Sequence, residues 1–151
     1  MSKKFLRGIG ELIIYVIIIG GIVWGVPSFL SWKLGTNYPI AAITSGSMWP
    51  VLKTGDLVLI KAVSKDDLKI GDIIVWRNPN GNGFTIHRIK ELRDTALVTK
   101  GDANFSEDNP VPYSDVIGRN LSWGSGSPVR IPFLGYISML GASIKKTYAN
   151  N

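Results

Sequence analysis

Hydrophobic and polar positions follow three different patterns along this chain. From Leu12 to Trp32 no residue is charged, and the run LIIYVIIIGGIVWGVPSFLSW is almost wholly apolar. A helix needs about 20 such residues to cross the ~30 Å hydrocarbon core of a bilayer. Gly20, Gly21 and Gly25 are compatible with a membrane helix, and Pro27 is expected to kink or end its regular part. Trp24 and Trp32 suit a membrane–water interface. A cleavable leader would show a shorter apolar core and a small-x-small site, whereas SFLSWKLG follows here, so the segment reads as a retained anchor. Lys3, Lys4 and Arg7 precede it and only Lys33 follows closely. The positive-inside rule then predicts a single-pass protein with a cytoplasmic N-terminus and the remainder on the outer side, spanning residues 1–35.

Past residue 35 the period changes. YPIAAI, DLVLIKA, GDIIVWR, FTIHRIK, ALVTK and DVIGRNLSW are short runs rich in apolar and β-branched residues. The turn signals KTGD, NPNGNG, KGDANFSEDNP and GSGSP separate them. NPNGNG reads as a hairpin loop. Helical periodicity is absent between residues 36 and 125. Residues 36–130 are therefore expected to form a mostly β, compact, partly closed barrel-like domain. KTGDLVLI is echoed by KIGDIIVW, each a turn feeding a strand, but two copies are too few for a repeat architecture. The third pattern is the tail, residues 131–151, with an apolar run from Ile131 to Ile144 that ends in Lys145 and Lys146. It is short for a span. The expectation is an interfacial helix or a piece packed beside the anchor, with a second crossing as the alternative.

Composition narrows the chemistry. The 151 residues suit one domain of ordinary size, and at 45% hydrophobic and 19% charged the chain is not a disordered one. Mean hydropathy is +0.16, high for a soluble domain. The net charge of +6 suits either nucleic acid or an anionic membrane face. The basic cluster Lys3-Lys4-Arg7 is better explained by topology, and no aromatic-interleaved basic patch exists, so no nucleic-acid partner is expected. There is no cysteine and a single histidine. This excludes thiol catalysis, disulfides and two-histidine metal sites, and no metal or cofactor is expected.

Against that background TSGSMWP, residues 44–50, gains interest. A serine hydroxyl becomes a nucleophile only when a base takes its proton and donors face the developing oxyanion. Gly46 would permit a tight backbone path, Pro50 would fix the exit, and the Ser47 N–H and Ser45 hydroxyl are candidate oxyanion donors. The competing reading is an ordinary polar turn. His87 in FTIHRIK is the candidate base, since a free imidazole titrates near 6.5; the competing reading is a half-exposed strand histidine with no role. Lysine bases at Lys53, Lys61, Lys90 or Lys100 would need an apolar setting that none obviously has. The loop KGDANFSEDNP offers Asp102 and Asp108 as carboxylates to orient a histidine. It also begins like a calcium loop, but Glu107 stands where glycine is required and Tyr113 where a bidentate glutamate belongs. A plain Asx-turn loop is the third possibility.

The order of anchor, SGSMWP, HR and GDANFSED resembles the type I signal peptidases, membrane-bound serine proteases that remove signal peptides. The likeness runs from the anchor through VIGRNLSW. SGSM-x-P is similar to the family's nucleophile box, which implies Ser47 as nucleophile, and TGDLVLI to the box after it. His87-Arg88 matches the archaeal and endoplasmic-reticulum-type branch, where bacterial members typically carry lysine before arginine. Gly101, Asp102, Asn104 and Asp108 fit that branch's GD-x-N-x-x-x-D box. The resemblance implies Asp108 as the stronger support for His87 with Asp102 close behind, and spacing alone does not decide between them. The bulky second region of many bacterial members has no counterpart after DNPVPYSDVIG. The resemblance further implies cleavage after small residues, preprotein signal peptides and the bilayer as partners, accessory subunits or a translocon beside them, and a cell membrane or endoplasmic reticulum location. Two other readings remain: a membrane-anchored, non-catalytic peptide-binding or scaffold domain, and a Ser-Lys peptidase such as a repressor self-cleavage domain. The latter is disfavoured by the anchor and by the lack of a DNA-binding module.

Overall fold

A computed structural model describes residues 3–78, 83–124 and 126–140. The apolar segment is helical: α1 (Lys3–Gly20), a π-helical turn at Gly21–Gly25, and α2 (Val26–Leu34). Residues 7–34 form a continuous helical rod whose apolar 18-residue stretch has mean hydropathy 2.3 and is not covered by the rest of the chain, while Leu34 at its end is buried. At 1.5 Å per residue its ~42 Å exceeds the hydrocarbon thickness. Pro27 does not end the helix, contrary to one of the two expectations. Proline lacks an N–H and crowds the preceding turn; here that turn is widened, with the Val26 N–H reaching back to the Gly21 carbonyl. The helix stops where the Gly35 N–H bonds the Ser31 carbonyl.

Among the described residues eight strands follow: β1 (Ile40–Ala42), β2 (Leu57–Lys61), β3 (Ile73–Asn78), β4 (Gly83–Leu92), β5 (Ala96–Lys100), β6 (Val111–Pro112), β7 (Val116–Asn120) and β8 (Arg130–Ile131). All pairings are antiparallel, in the order β1-β2-β7-β3-β4-β5-β6, with β8 also on β2. Among the described strands no ladder joins the two ends of this path. β3 and β4 form the expected hairpin, Asn78 opposite Gly83; residues 79–82 of its NPNGNG loop lie outside the described residues. The six strand-like runs all contain strands. The two-residue β6 and β8 carry no readable period, and β6 includes a proline.

Central β3 explains how one thin sheet makes two cores. Ile73, Ile74, Val75 and Trp76 are all buried, the run expected of a strand covered on both faces. Ile73 and Val75 join Ile43, Met48, Leu52, Val58 and Ile60 in one cluster. Ile74 and Trp76 join Leu68, Ile89, Leu97 and Val111 in the other. Each buried aliphatic side chain contributes about 1.5–3 kcal/mol. The tail turns back onto this body: the Gly135 N–H bonds the Gly55 carbonyl, and residues 135–140 are helical with Ile137 and Leu140 exposed. Its Lys145-Lys146 end lies outside the described residues.

Candidate active site

Ser47 sits in a turn anchored by its neighbour. Met48 is 1% exposed and fills the first core cluster, with Leu52 beside it. The Trp49 N–H bonds the Gly46 carbonyl, and the Leu52 N–H bonds the Met48 carbonyl. This turn fixes the Ser47 hydroxyl at a cleft while Trp49 projects outward. Gly46 does not serve the purpose expected of it. Its φ is outside the left-handed region and nothing lies within 4 Å of a Cβ built there.

His87 belongs to β4, opposite Ile74 of β3, and so lies on the face of the second cluster. It is 7% exposed. Its Nε2 lies 3.1 Å from the Ser47 Oγ and its Nδ1 2.6 Å from Asp108 Oδ2. A carboxylate only accepts, so Nδ1 carries the hydrogen and donates, leaving Nε2 as acceptor for the Ser47 hydroxyl. The Ser45 Oγ is 3.2 Å from that of Ser47. The nucleophile candidate is thus held by one core cluster and the base candidate by the other, and they meet at the cleft between.

The two loop aspartates have separate partners. Asp108 takes the imidazole. Asp102 accepts two bonds from Arg88, Nε to Oδ1 at 2.8 Å and an Nη to Oδ2 at 2.7 Å. Strand alternation gives the reason. His87 and Arg88 point to opposite faces of β4, and Arg88 stands opposite Lys100 in the ladder, so Asp102, two residues beyond Lys100, falls on the arginine's side. The Asp108 N–H returns to the Thr99 carbonyl, which brings that carboxylate to the histidine's face. Hydrogen bonding to Asp102 raises the Arg88 guanidinium above its ordinary value despite the opposing effect of burial. With one carboxylate on a guanidinium and the other on an imidazole, the calcium-loop reading has no converging ligand pair.

Two residues went unnoticed in the sequence. Thr99 is fully buried, and its hydroxyl donates to Asp108 Oδ2 at 2.6 Å, the same oxygen that accepts from His87. Its signal was a polar residue on the inward parity of ALVTK. Arg88 was noticed only as half of a dipeptide. Gly101 is explained by close approach: a Cβ there would lie 2.7 Å from the Ser47 carbonyl oxygen. That oxygen accepts the Ala103 N–H at 2.8 Å, which ties the acidic loop to the serine turn.

The cleft has a volume of about 230 Å³ and is lined by residues 42–45, Ser47, Met48 and residues 84–87. Its walls are two free strand edges. β1 pairs only with β2, and residues 83–87 of β4 pair only with β3 among the described residues. Each is a row of backbone groups open to an added strand.

No family model matches the chain. Comparison with individual proteins finds clear relatives. It is 31% identical over 125 residues to the signal peptidase complex catalytic subunit sec11 of Neurospora crassa, covering 75% of this chain and 72% of that one. It is 26% identical to the SEC11 subunit of Schizophyllum commune, covering 91% and 84%. Against the SEC11C subunit of Homo sapiens it is 27% identical over 119 residues, 70% of this chain. The chain spans 58% of the length of that mammalian relative. On the first of these matches, the chain belongs to the family of signal peptidase complex catalytic subunits.

Proposed function

We propose that this chain is a membrane-bound serine endopeptidase that removes N-terminal signal peptides from preproteins, cutting after small residues. The observation that carries this reading is the unbroken relay from Ser47 through His87 to Asp108, with contacts of 3.1 and 2.6 Å. Ser47 Oγ attacks the scissile carbonyl carbon while its proton passes to His87 Nε2. Asp108 holds the ring and stabilises the imidazolium, and Thr99 holds Asp108. The Ser47 N–H and the Ser45 hydroxyl receive the oxyanion; one such donor contributes on the order of 3 kcal/mol. The C–N bond then breaks as His87 gives its proton to the departing amine. Water, deprotonated by the same histidine, attacks the acyl-enzyme and returns Ser47 to its free form.

The substrate is an extended peptide that adds to the free edges of β1 and β4. Such a strand would supply the pairing the open sheet lacks, so the body acts as a partly closed barrel completed by its ligand. The bland reading of a passive scaffold leaves the relay without a purpose. Residues 1–35 anchor the enzyme with the N-terminus in the cytoplasm, residues 36–130 carry catalysis on the outer side, and residues 131–151 lie at the membrane surface. The host membrane is the cell membrane or, in a eukaryote, that of the endoplasmic reticulum. Exposed Trp49 and the apolar face of Phe133 and Ile137 support such a seat, whereas Met48 is buried and takes no part. Confinement with the signal peptide in one bilayer raises effective concentration without new contacts. That the relatives are named as subunits of a complex supports accessory subunits as partners.

The test is product identity. Membranes carrying this chain are incubated with a preprotein, and the new N-terminus is read by mass spectrometry. A single cut after a small residue, absent with Ser47→Ala, is expected. Cuts scattered through the mature region, or the same product from Ser47→Ala, would defeat the reading.

A further inference from the structure

The cleft has two unlike ends. Ser47 and His87 form one. At the other is Phe84, whose ring meets that of Tyr38, just outside the lining, edge-on with centroids 4.7 Å apart. Tyr38 lies just before β1 and Phe84 at the start of β4, so the pair bridges the two free edges. Four antiparallel steps (β1–β2, β2–β7, β7–β3, β3–β4) separate these strands in the sheet. They therefore run in the same direction along the cleft, from the aromatic pair to the serine. Tyr38 and Phe84 are 42% and 44% exposed as whole residues. A pair whose only purpose was to pin the linker to the hairpin would have no need to leave so much apolar surface at the mouth of a cleft.

The direction of the substrate follows from the anchor. Tyr38 stands four positions beyond Leu34, where the apolar helix ends, so the aromatic end faces the bilayer. The apolar part of a signal peptide comes from that bilayer and precedes the cut. It must enter past Tyr38 and Phe84 and run towards Ser47. From His87 to Phe84 is three strand steps, roughly 10 Å at ~3.3 Å each, which accommodates about three extended residues between the cut and the rings.

We propose that Tyr38 and Phe84 form an upstream subsite that takes an aliphatic side chain about four residues before the cut, where the polar cleavage region gives way to the apolar signal core. This rests on the peptidase reading for the direction of the substrate, and adds to it a residue preference set by the two rings. An aliphatic side chain lies against both; a charged one loses hydration there without a partner.

The experiment measures binding, so that it does not depend on catalysis. Full-length Ser47→Ala chain in detergent micelles is titrated with signal-peptide segments that differ only at the fourth residue before the cut: leucine, glycine or aspartate. Leucine is expected to bind roughly tenfold more tightly than aspartate, the scale of one partly buried aliphatic group. Adding Phe84→Ala or, on the other wall, Tyr38→Ala is expected to bring that ratio below about threefold, while the preference for alanine over phenylalanine immediately before the cut is retained. A leucine preference that survives both ring removals overturns the subsite, as does equal binding of all three peptides. A ring-dependent preference in a chain whose wild type cuts no preprotein would instead overturn the peptidase reading and leave the subsite standing.

Discussion

The two KxGD turns invite comparison because they look alike and have parted ways. In each, the aspartate accepts a hydrogen bond from the backbone N–H three residues earlier: Lys53 to Asp56 at 2.9 Å, Lys69 to Asp72 at 3.0 Å. In each, an arginine from a later strand clamps the same oxygen at 3.0 Å, Arg130 on Asp56 and Arg119 on Asp72. Each glycine has a left-handed φ, 87° at Gly55 and 95° at Gly71. Each turn also exchanges a pair of backbone bonds with a neighbouring segment. The first grips Ile43, four residues before Ser47; the second grips Ile89, two residues after His87. One device therefore braces the Ser47 side and a copy of it braces the His87 side. The difference is burial. The Asp56 side chain is 4% exposed and Asp72 20%, because the tail folds over the first turn and, among the described residues, nothing comparable covers the second. Local sequence dictates the turn, and tertiary neighbours decide how much depends on it.

The same contrast recurs in the acidic loop, and there the largest effect is expected. Asp108→Asn should lower kcat by about ten-thousandfold, because the ring loses the acceptor that sets its tautomer. Asp102→Asn should cost only about a hundredfold at most, through displacement of β4 and the loop. Rates on a signal-peptide substrate separate them; a reversal of that order would exchange the two roles.

Next come the clamps. Asp56→Ala removes a buried carboxylate that accepts from both the Lys53 N–H and Arg130, whose own side chain keeps access to solvent, and should destabilise the chain by about 2–3 kcal/mol. Asp72→Ala, where the carboxylate itself is partly in solvent, should cost about 1–2 kcal/mol. Urea unfolding of the detergent-solubilised chain measures both, and equal losses would erase the distinction drawn from burial. The glycines sharpen it further. Gly71→Ala meets open space and carries only the strain of its φ, about 1–2 kcal/mol. Gly55→Ala adds a Cβ 2.1 Å from the Tyr136 ring, so it should also loosen the tail. Proteolysis near residue 136 faster in Gly55→Ala than in Gly71→Ala is the expected sign.

Glu91 marks the low end. Its exposed pair with Arg93 lowers the Glu91 carboxyl below its ordinary value. A depressed carboxylate adds stability above its unfolded value and loses it as pH falls through the folded one. Solvent screening leaves little of this. Glu91→Gln is expected to leave the unfolding midpoint unchanged within error from neutral pH to about pH 4. A clear loss at neutral pH would mean that exposed pairs matter here as much as the clamps.

Much of this was legible in the residues. Alternating and continuous apolar runs marked six strands, and the uncharged stretch marked the helix. The order of SGSM, HR and GD boxes identified the family. What stayed hidden was contact. Spacing could not choose between Asp102 and Asp108, because the choice depends on which face of β4 each carboxylate reaches across a loop. Thr99 looked like an ordinary strand threonine until β5 was seen beside β4. The helix's passage through Pro27 depends on a π turn that no local preference announces. Met48 and Trp49, adjacent and both apolar, point in opposite directions because only one faces the core.

The central claim is that Ser47 and His87 act as one unit. Single-turnover cleavage of a preprotein by the full chain in membranes tests it most directly, comparing wild type, Ser47→Ala, His87→Ala and the double variant. Each single replacement is predicted to cost on the order of a millionfold, with the double variant no slower than either alone. His87→Ala cutting within tenfold of wild type, or losses that multiply in the double variant, would contradict the account.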